Sequence, residues 1–238
     1  MKKLGIIGGT SWTSTALYYD HLNRLVGLHL GGLHSAKLAI ESLDLAPFVA
    51  MQQSGDWAGV GRLAAEAGKR LAASGAEALI LASHSLHKVS AEIVAASGIP
   101  ILDVSDATAD RIVADGRRRV ALLGTRFTMR EGFARDRYTD RGIILQPIEP
   151  EWEAEVDRII FEELAAGRVV RESQRKLKTL ITELGKQKVE AIVLGCSELG
   201  LVIDARANVL PIYDTTVHHA RRAVEWMIGE AEQARAAA

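Results

Sequence analysis

Several things are scarce in this chain, and each shortage excludes a class of protein. A single cysteine, Cys196, stands among 238 residues, so no internal disulfide can close and no multi-cysteine zinc or iron–sulfur site can assemble. If that residue matters, it matters as a thiol. Net charge is nearly absent too: 29 Lys and Arg against 30 Asp and Glu leave −1, which provides no field to gather phosphates or anionic lipid. A nucleic-acid partner is not expected. No stretch approaches the roughly 20 consecutive apolar residues of a membrane span. The apolar segment after Met1-Lys2-Lys3 is too short and glycine-rich for the core of a signal peptide. The expectation is a cytoplasmic protein with no membrane partner. Aromatic residues amount to 5%, but 48% hydrophobic and 25% charged residues make an ordinary globular composition. The length permits one large domain or two compact lobes. Neither G-x-G-x-x-G nor the Walker lysine pattern occurs.

Short apolar runs, several rich in Ile, Val and Leu on both faces, alternate with longer segments of helical spacing, the pattern of buried parallel strands in an α/β protein. Strands are predicted over 3–7, 37–42, 78–82, 99–103, 120–124, 143–146, 191–194 and 210–213. Helices are predicted over 14–28, 57–74, 107–115, 128–140, 151–166, 172–184 and 216–230, the last followed by a small-residue tail expected to fray. The two halves echo one another in order. Leu4-Gly5-Ile6-Ile7-Gly8-Gly9-Thr10 returns as Val120-Ala121-Leu122-Leu123-Gly124-Thr125, and Glu77-Ala78-Leu79-Ile80-Leu81-Ala82-Ser83 as Glu190-Ala191-Ile192-Val193-Leu194-Gly195-Cys196. Pro100-Ile101-Leu102-Asp103 returns as Pro211-Ile212-Tyr213-Asp214, and the three offsets are 116, 113 and 111 residues. Such an ordered repeat points to duplication. The expected architecture is two pseudosymmetric α/β lobes, each with a mainly parallel four-stranded sheet flanked by helices, and with the active site in the cleft between them, at the carboxyl ends of the strands.

The candidate chemistry lies just after those strands. Cys196 ends one strand where a helical turn can begin, and backbone N–H groups there would favour the thiolate; a small buried hydrophobe is the competing reading. Ser83-His84-Ser85-Leu86-His87-Lys88 packs two hydroxyls, two imidazoles and an ammonium after the matching strand, a density suited to binding a carboxylate, although capping by Ser83 or Ser85 explains part of it. His84-x-x-His87 invites a metal, but it lacks a zincin glutamate, so no metal site is expected. Gly8-Gly9-Thr10-Ser11 can bring N–H groups toward an anion or can simply make a tight turn. Thr125 and Thr128 sit in the matching place of the second half. Asp214, Thr215, Thr216 and His219 either orient catalytic groups or begin a helix.

Taken together these residues resemble the aspartate/glutamate racemase family. The matching motifs are Gly5-Ile6-Ile7-Gly8-Gly9 with Trp12, Ser14, Thr15, Tyr18 and Tyr19; the run from Gly31 to Lys37; Gln52 to Trp57; Leu86-His87-Lys88; Ile99-Pro100 with Asp106-Ala107-Thr108; the run from Gly124 to Met129; Gly195-Cys196-Ser197-Glu198; and Asp214-Thr215-Thr216 with His219. The resemblance implies an isomerase that needs no cofactor, is frequently a homodimer, takes a small amino-acid substrate, and uses one residue from each lobe. It also implies lobes of 1–98 plus 208–238 and 99–207, and a site in which Cys196 and Ser83 are catalytic. Around the substrate it places Thr10, Gln52, His84, Ser85, Thr125 and Ser197, with Glu198, Asp214 and His219 in support.

Inverting Cα requires a proton to arrive on the face opposite the one it left, so one acid–base group per face suffices. The family usually supplies two cysteines, the first followed by Asn-Thr; here those positions hold Ser83, His84 and Ser85. A hydroxyl is a poor base but can return a proton. The expectation is an asymmetric racemase favouring the L substrate, with Cys196 as base, Ser83 as partner acid and His84 as its assistant. Gln52 is neutral where aspartate-specific relatives often place a cation, and Ala165 is small where they place a lysine, so an acidic side chain on the substrate is not required. A single-thiol decarboxylase of the arylmalonate type and a binding protein that has lost catalysis stay open as alternatives.

Overall fold

The computed structural model describes residues 1–204 and 208–229. In chain order the elements are β1 (Leu4–Gly8), α1 (Trp12–Leu30), β2 (Leu38–Ser42), α2 (Leu45–Ser54), α3 (Trp57–Ala73), β3 (Ala78–Leu81), α4 (Ser90–Ser97) and α5 (Val104–Ala114). There follow β4 (Arg119–Gly124), α6 (Arg126–Arg130), α7 (Gly132–Thr139), β5 (Ile144–Leu145), α8 (Pro150–Arg158), α9 (Arg171–Lys186), β6 (Ala191–Gly195), β7 (Ile212–Asp214) and α10 (Thr215–Ile228). The chain divides into two compact units, Met1–Val104 with the segment from His219 onward, and Ser105–His218. The tail expected to fray lies outside the described residues.

In the first unit the sheet order is β2-β1-β3, all parallel, with Leu4 opposite both Leu38 and Ala78. Every residue of β1 and β3 is buried, as the apolar runs require of strands covered on both faces. α1 turns Ser14, Tyr18, Leu22 and Val26 inward at four-residue spacing, and its first turn is capped by the Ser11 hydroxyl. Residues 99–103 do not form the expected fourth strand. They contribute only a bridge, Leu79 to Ile101, held by Leu79 N–H to the Pro100 carbonyl and Leu102 N–H to the Leu79 carbonyl. Helix α5 begins at Val104, so the chain leaves the sheet before a ladder can extend.

In the second unit the order is β5-β4-β6-β7, again parallel. The echoed segments therefore take equivalent places: the first strand of each half is central, the second lies beside it, and Pro100–Leu102 and Pro211–Tyr213 pair at the far side of the latter. Gly124 and Gly195 face each other across β4 and β6, and a Cβ on Gly124 would come within 2.9 Å of the Gly195 carbonyl oxygen. The helix expected over 128–140 is two helices, because Glu131 takes an extended backbone between α6 and α7. That expected over 151–166 ends as α8; a widened turn over Ile159–Glu163 and a tighter one over Leu164–Ala166 then bring Ile159, Ile160, Glu163 and Leu164 all inward. No helix among the described residues is long and apolar enough to cross a membrane.

Candidate active site

The residues singled out by the sequence fall into two groups, one in each unit. In the first, β3 delivers the chain to Ser83, and a tight helical turn over Ser85–Val89 follows. The Ser85 hydroxyl accepts a hydrogen bond from Gln52 Nε2 at 2.8 Å and lies 3.1 Å from the Ser83 hydroxyl. Neither serine caps the turn, since no side chain accepts from its first amides. α2, which carries Gln52, has no counterpart among the predicted helices. A proline at its third residue and a weak apolar spacing hid it.

Three buried imidazoles lie behind Ser83. His87 Nδ1 is 3.2 Å from the carbonyls of both Ser83 and His84, while its Nε2 is 3.4 Å from the Val104 amide nitrogen. Carbonyls only accept and an amide only donates, so the proton is on Nδ1 and Nε2 is the acceptor. The same logic fixes His219: Nε2–H donates to the Leu102 carbonyl at 2.7 Å and Nδ1 accepts from the Tyr18 hydroxyl at 2.7 Å. Burial, reinforced by His87, pushes His219 down to about 3. Burial also takes His84 down to about 3, and its Nε2 is buried with no hydrogen-bond partner. The ring centroids of His84 and His87, and those of His87 and His219, are each 6.2 Å apart. No cluster of three metal-binding side chains occurs among the described residues.

The glycine loop after β1 is already occupied with itself. Gly9 N–H donates to the Thr15 hydroxyl at 2.8 Å, and that hydroxyl donates to the Ser11 carbonyl, so this amide is not offered to an anion. Gly9 has φ +78°, and a Cβ there would sit 2.1 Å from the Leu43 carbonyl oxygen. Tight-turn geometry is the reason for that glycine. Thr10 Oγ1, next in the chain, is buried and has no partner.

In the second unit β6 delivers Cys196, and a turn over Ser197–Leu201 follows. The thiol donates to Glu198 Oε2 at 2.9 Å, and the Ser197 hydroxyl donates to the same oxygen at 2.9 Å. The expected bias toward thiolate is overturned. Burial, then the charge and hydrogen bond of Glu198, raise the thiol well above its ordinary value, outweighing the Glu198 and Leu199 amides that act the other way. Five residues of tight turn also make a poor helix dipole. Nearby, Thr125 Oγ1 is 3.4 Å from Thr128 Oγ1. Asp214 accepts from the Thr216 amide at 2.9 Å, which is helix capping. Thr215, for its part, donates to the Leu194 carbonyl at 2.6 Å, tying α10 to the strand that carries Cys196.

Sequence reasoning missed Glu163. It is buried on the widened turn, with Oε1 2.9 Å from Arg158 Nη1 and Oε2 unpartnered. One member of a Glu-Glu pair in a helical pattern reads as a solvated face, so no signal marked it.

The family model for Asp/Glu/Hydantoin racemase matches residues 7–223. Among solved structures, a candidate Asp/Glu racemase from Yersinia pestis is 39% identical, with a TM-score of 0.88 over 96% of this chain and 100% of its own. An aspartate racemase homologue from Pyrococcus horikoshii OT3 is 30% identical, with a TM-score of 0.82 over 96% and 100%. The aspartate racemase of Picrophilus torridus, 18% identical, has a TM-score of 0.79 over 95% and 94%, a likeness of fold. With two strand-tip clusters in duplicated α/β units and a match that runs through both, the chain belongs to the Asp/Glu/Hydantoin racemase family.

Proposed function

We propose that the protein is a cofactor-independent amino-acid racemase that favours the L substrate, with Cys196 acting on one face of Cα and Ser83 on the other. The observation that carries this reading is the lone thiol at the tip of β6, buried and hydrogen-bonded to Glu198. A buried thiol held protonated is not a base by itself, but Glu198 is placed to take its proton. The thiolate then removes the Cα proton of the L amino acid, and the Ser83 hydroxyl gives its proton to the opposite face, yielding the D product. Cys196 ends as thiol, carrying the Cα proton. Glu198 is left protonated and Ser83 as alkoxide, and one proton moved from the first to the second through water resets the site.

The remaining residues support that sequence. Ser85 accepts from Gln52 and lies 3.1 Å from the Ser83 hydroxyl; when it donates to Ser83 Oγ it stabilises charge developing there and leaves the Ser83 proton for the substrate. His84, neutral in its buried place, serves as a hydrogen-bonding group with a free Nε2 rather than as a charged acid. Thr10, with its unpartnered hydroxyl, together with Thr125 and Ser197, would line the substrate. Gln52 faces Ser85 with its amide nitrogen, and no cation is offered by it to a side-chain carboxylate. An amino acid with an uncharged side chain is thus as acceptable as an acidic one.

The test follows solvent deuterium at Cα together with chiral analysis, for a panel of L and D amino acids, in wild type, Cys196→Ala and Ser83→Ala. Deuterium uptake and inversion from the L side should both vanish in Cys196→Ala. Ser83→Ala should keep exchange and lose inversion. Inversion that survives Cys196→Ala refutes the mechanism.

A further inference from the structure

His87 is used by nothing in the mechanism above, yet both its ring nitrogens are engaged by backbone, one at Ser83 and His84 and the other at the start of α5. Its Nδ1–H reaches the carbonyls of Ser83 and His84, both at 3.2 Å, and its Nε2 receives the first amide of α5 at 3.4 Å. The imidazole is 5% exposed. The His84 carbonyl also accepts the backbone N–H of His87 at 3.0 Å, so the ring matters most to the Ser83 carbonyl, and a buried carbonyl left without a donor costs about 1–3 kcal/mol. A backbone that relaxes to find another donor turns the Ser83 side chain with it. Resting on the racemase reading, we propose that His87 is a positioning residue for the second face: by clamping the Ser83 and His84 carbonyls to the start of α5 it aims the Ser83 hydroxyl at Cα.

The two halves of the ring can be separated chemically. In His87→Asn the amide nitrogen falls near the place of Nδ1 and keeps the bonds to the two carbonyls. In His87→Gln the amide oxygen falls near Nε2 and keeps the bond to Val104 while losing the carbonyls. A merely structural role would lower stability and total turnover in both. A positioning role changes the fate of the carbanion, which either regains a proton from Cys196, giving exchange with retention, or takes one from Ser83, giving inversion. With an L amino acid in deuterium oxide, the ratio of inversion to exchange should fall about tenfold in His87→Gln, the effect of one net hydrogen bond. It should stay within about threefold of wild type in His87→Asn. Separately, and needing no variant, ring nitrogen NMR should show His87 protonated on Nδ1 and bare on Nε2.

A ratio unmoved in His87→Gln, or moved equally in both variants, overturns the proposal while leaving the racemase reading intact, as does an Nε2-protonated ring. Absence of Cys196-dependent exchange in the wild type overturns the racemase reading, and this proposal with it.

Discussion

Mild acid should destabilise the protein through two buried histidines of the first unit before its lowered carboxylates contribute. His84 and His219 are 9% and 0% exposed, and each is lowered from 6.5 to about 3 by burial. A histidine whose folded pKa is depressed binds its proton more readily in the unfolded chain, so stability is intact above pH 6.5 and declines as the pH falls toward 3. Within that window the slope is about 1.4 kcal/mol per pH unit per histidine, whatever the exact folded value, because the folded ring stays neutral throughout. From pH 7 to pH 5 the loss is about 1.9 kcal/mol each, or about 4 kcal/mol together. Glu155, held down to about 2 chiefly by its Arg158 hydrogen bond, and Asp115 and Glu190, lowered respectively by Tyr213 and by backbone amides, are shifted in the same direction and also lose their contribution on acidification, but in a lower window. Their contribution is lost only below the ordinary carboxylate range, under pH 5, so the window belongs to the imidazoles. The assay is urea unfolding at pH 7, 6 and 5 in wild type, His84→Gln and His219→Gln. Each variant should flatten the dependence by one proton, whatever it does to stability at pH 7. An unchanged slope in both would refute the assignment of buried neutral rings.

Glu198→Gln removes the carboxylate that holds the Cys196 proton, so the thiol should ionise at lower pH; iodoacetamide labelling of this sole cysteine against pH reads it directly, and an unmoved or upward-shifted profile contradicts the assignment. Gly9→Ala should cost about 3 kcal/mol, combining left-handed strain with overpacking against Leu43, whereas Gly32→Ala, also left-handed but with nothing within 4 Å, should cost only about 1 kcal/mol. Denaturant midpoints of the two compare them under identical conditions, and equal losses would mean the Leu43 contact is relieved by a small shift.

Much of this molecule is set by local pattern. Runs such as Ala191 to Gly195 are apolar on both faces, which only a strand covered on two sides satisfies, and their ordered repetition gives the same strand order to both units. The position of Ser83 and Cys196 at strand tips follows from the same runs. α2 was illegible because Pro47 and few apolar contacts blur its period, and the break at Glu131 and the widened turn at Ile159–Glu163 arise from packing that no local period encodes.

The protonation of the site is a different matter. A cysteine followed by Ser-Glu reads equally well as an activated thiolate or as a held thiol, and the answer depends on how deeply the sulfur is buried and which way the Glu198 side chain turns. The tautomers of His87 and His219 likewise depend on carbonyls and hydroxyls brought from 3 to 201 positions away in the chain. Alternation of apolar and polar residues is a property of neighbours, so the sequence alone determined the layers and the family. Desolvation and hydrogen-bond partners are properties of the folded surroundings, and only the tertiary structure decided which atoms carry the protons.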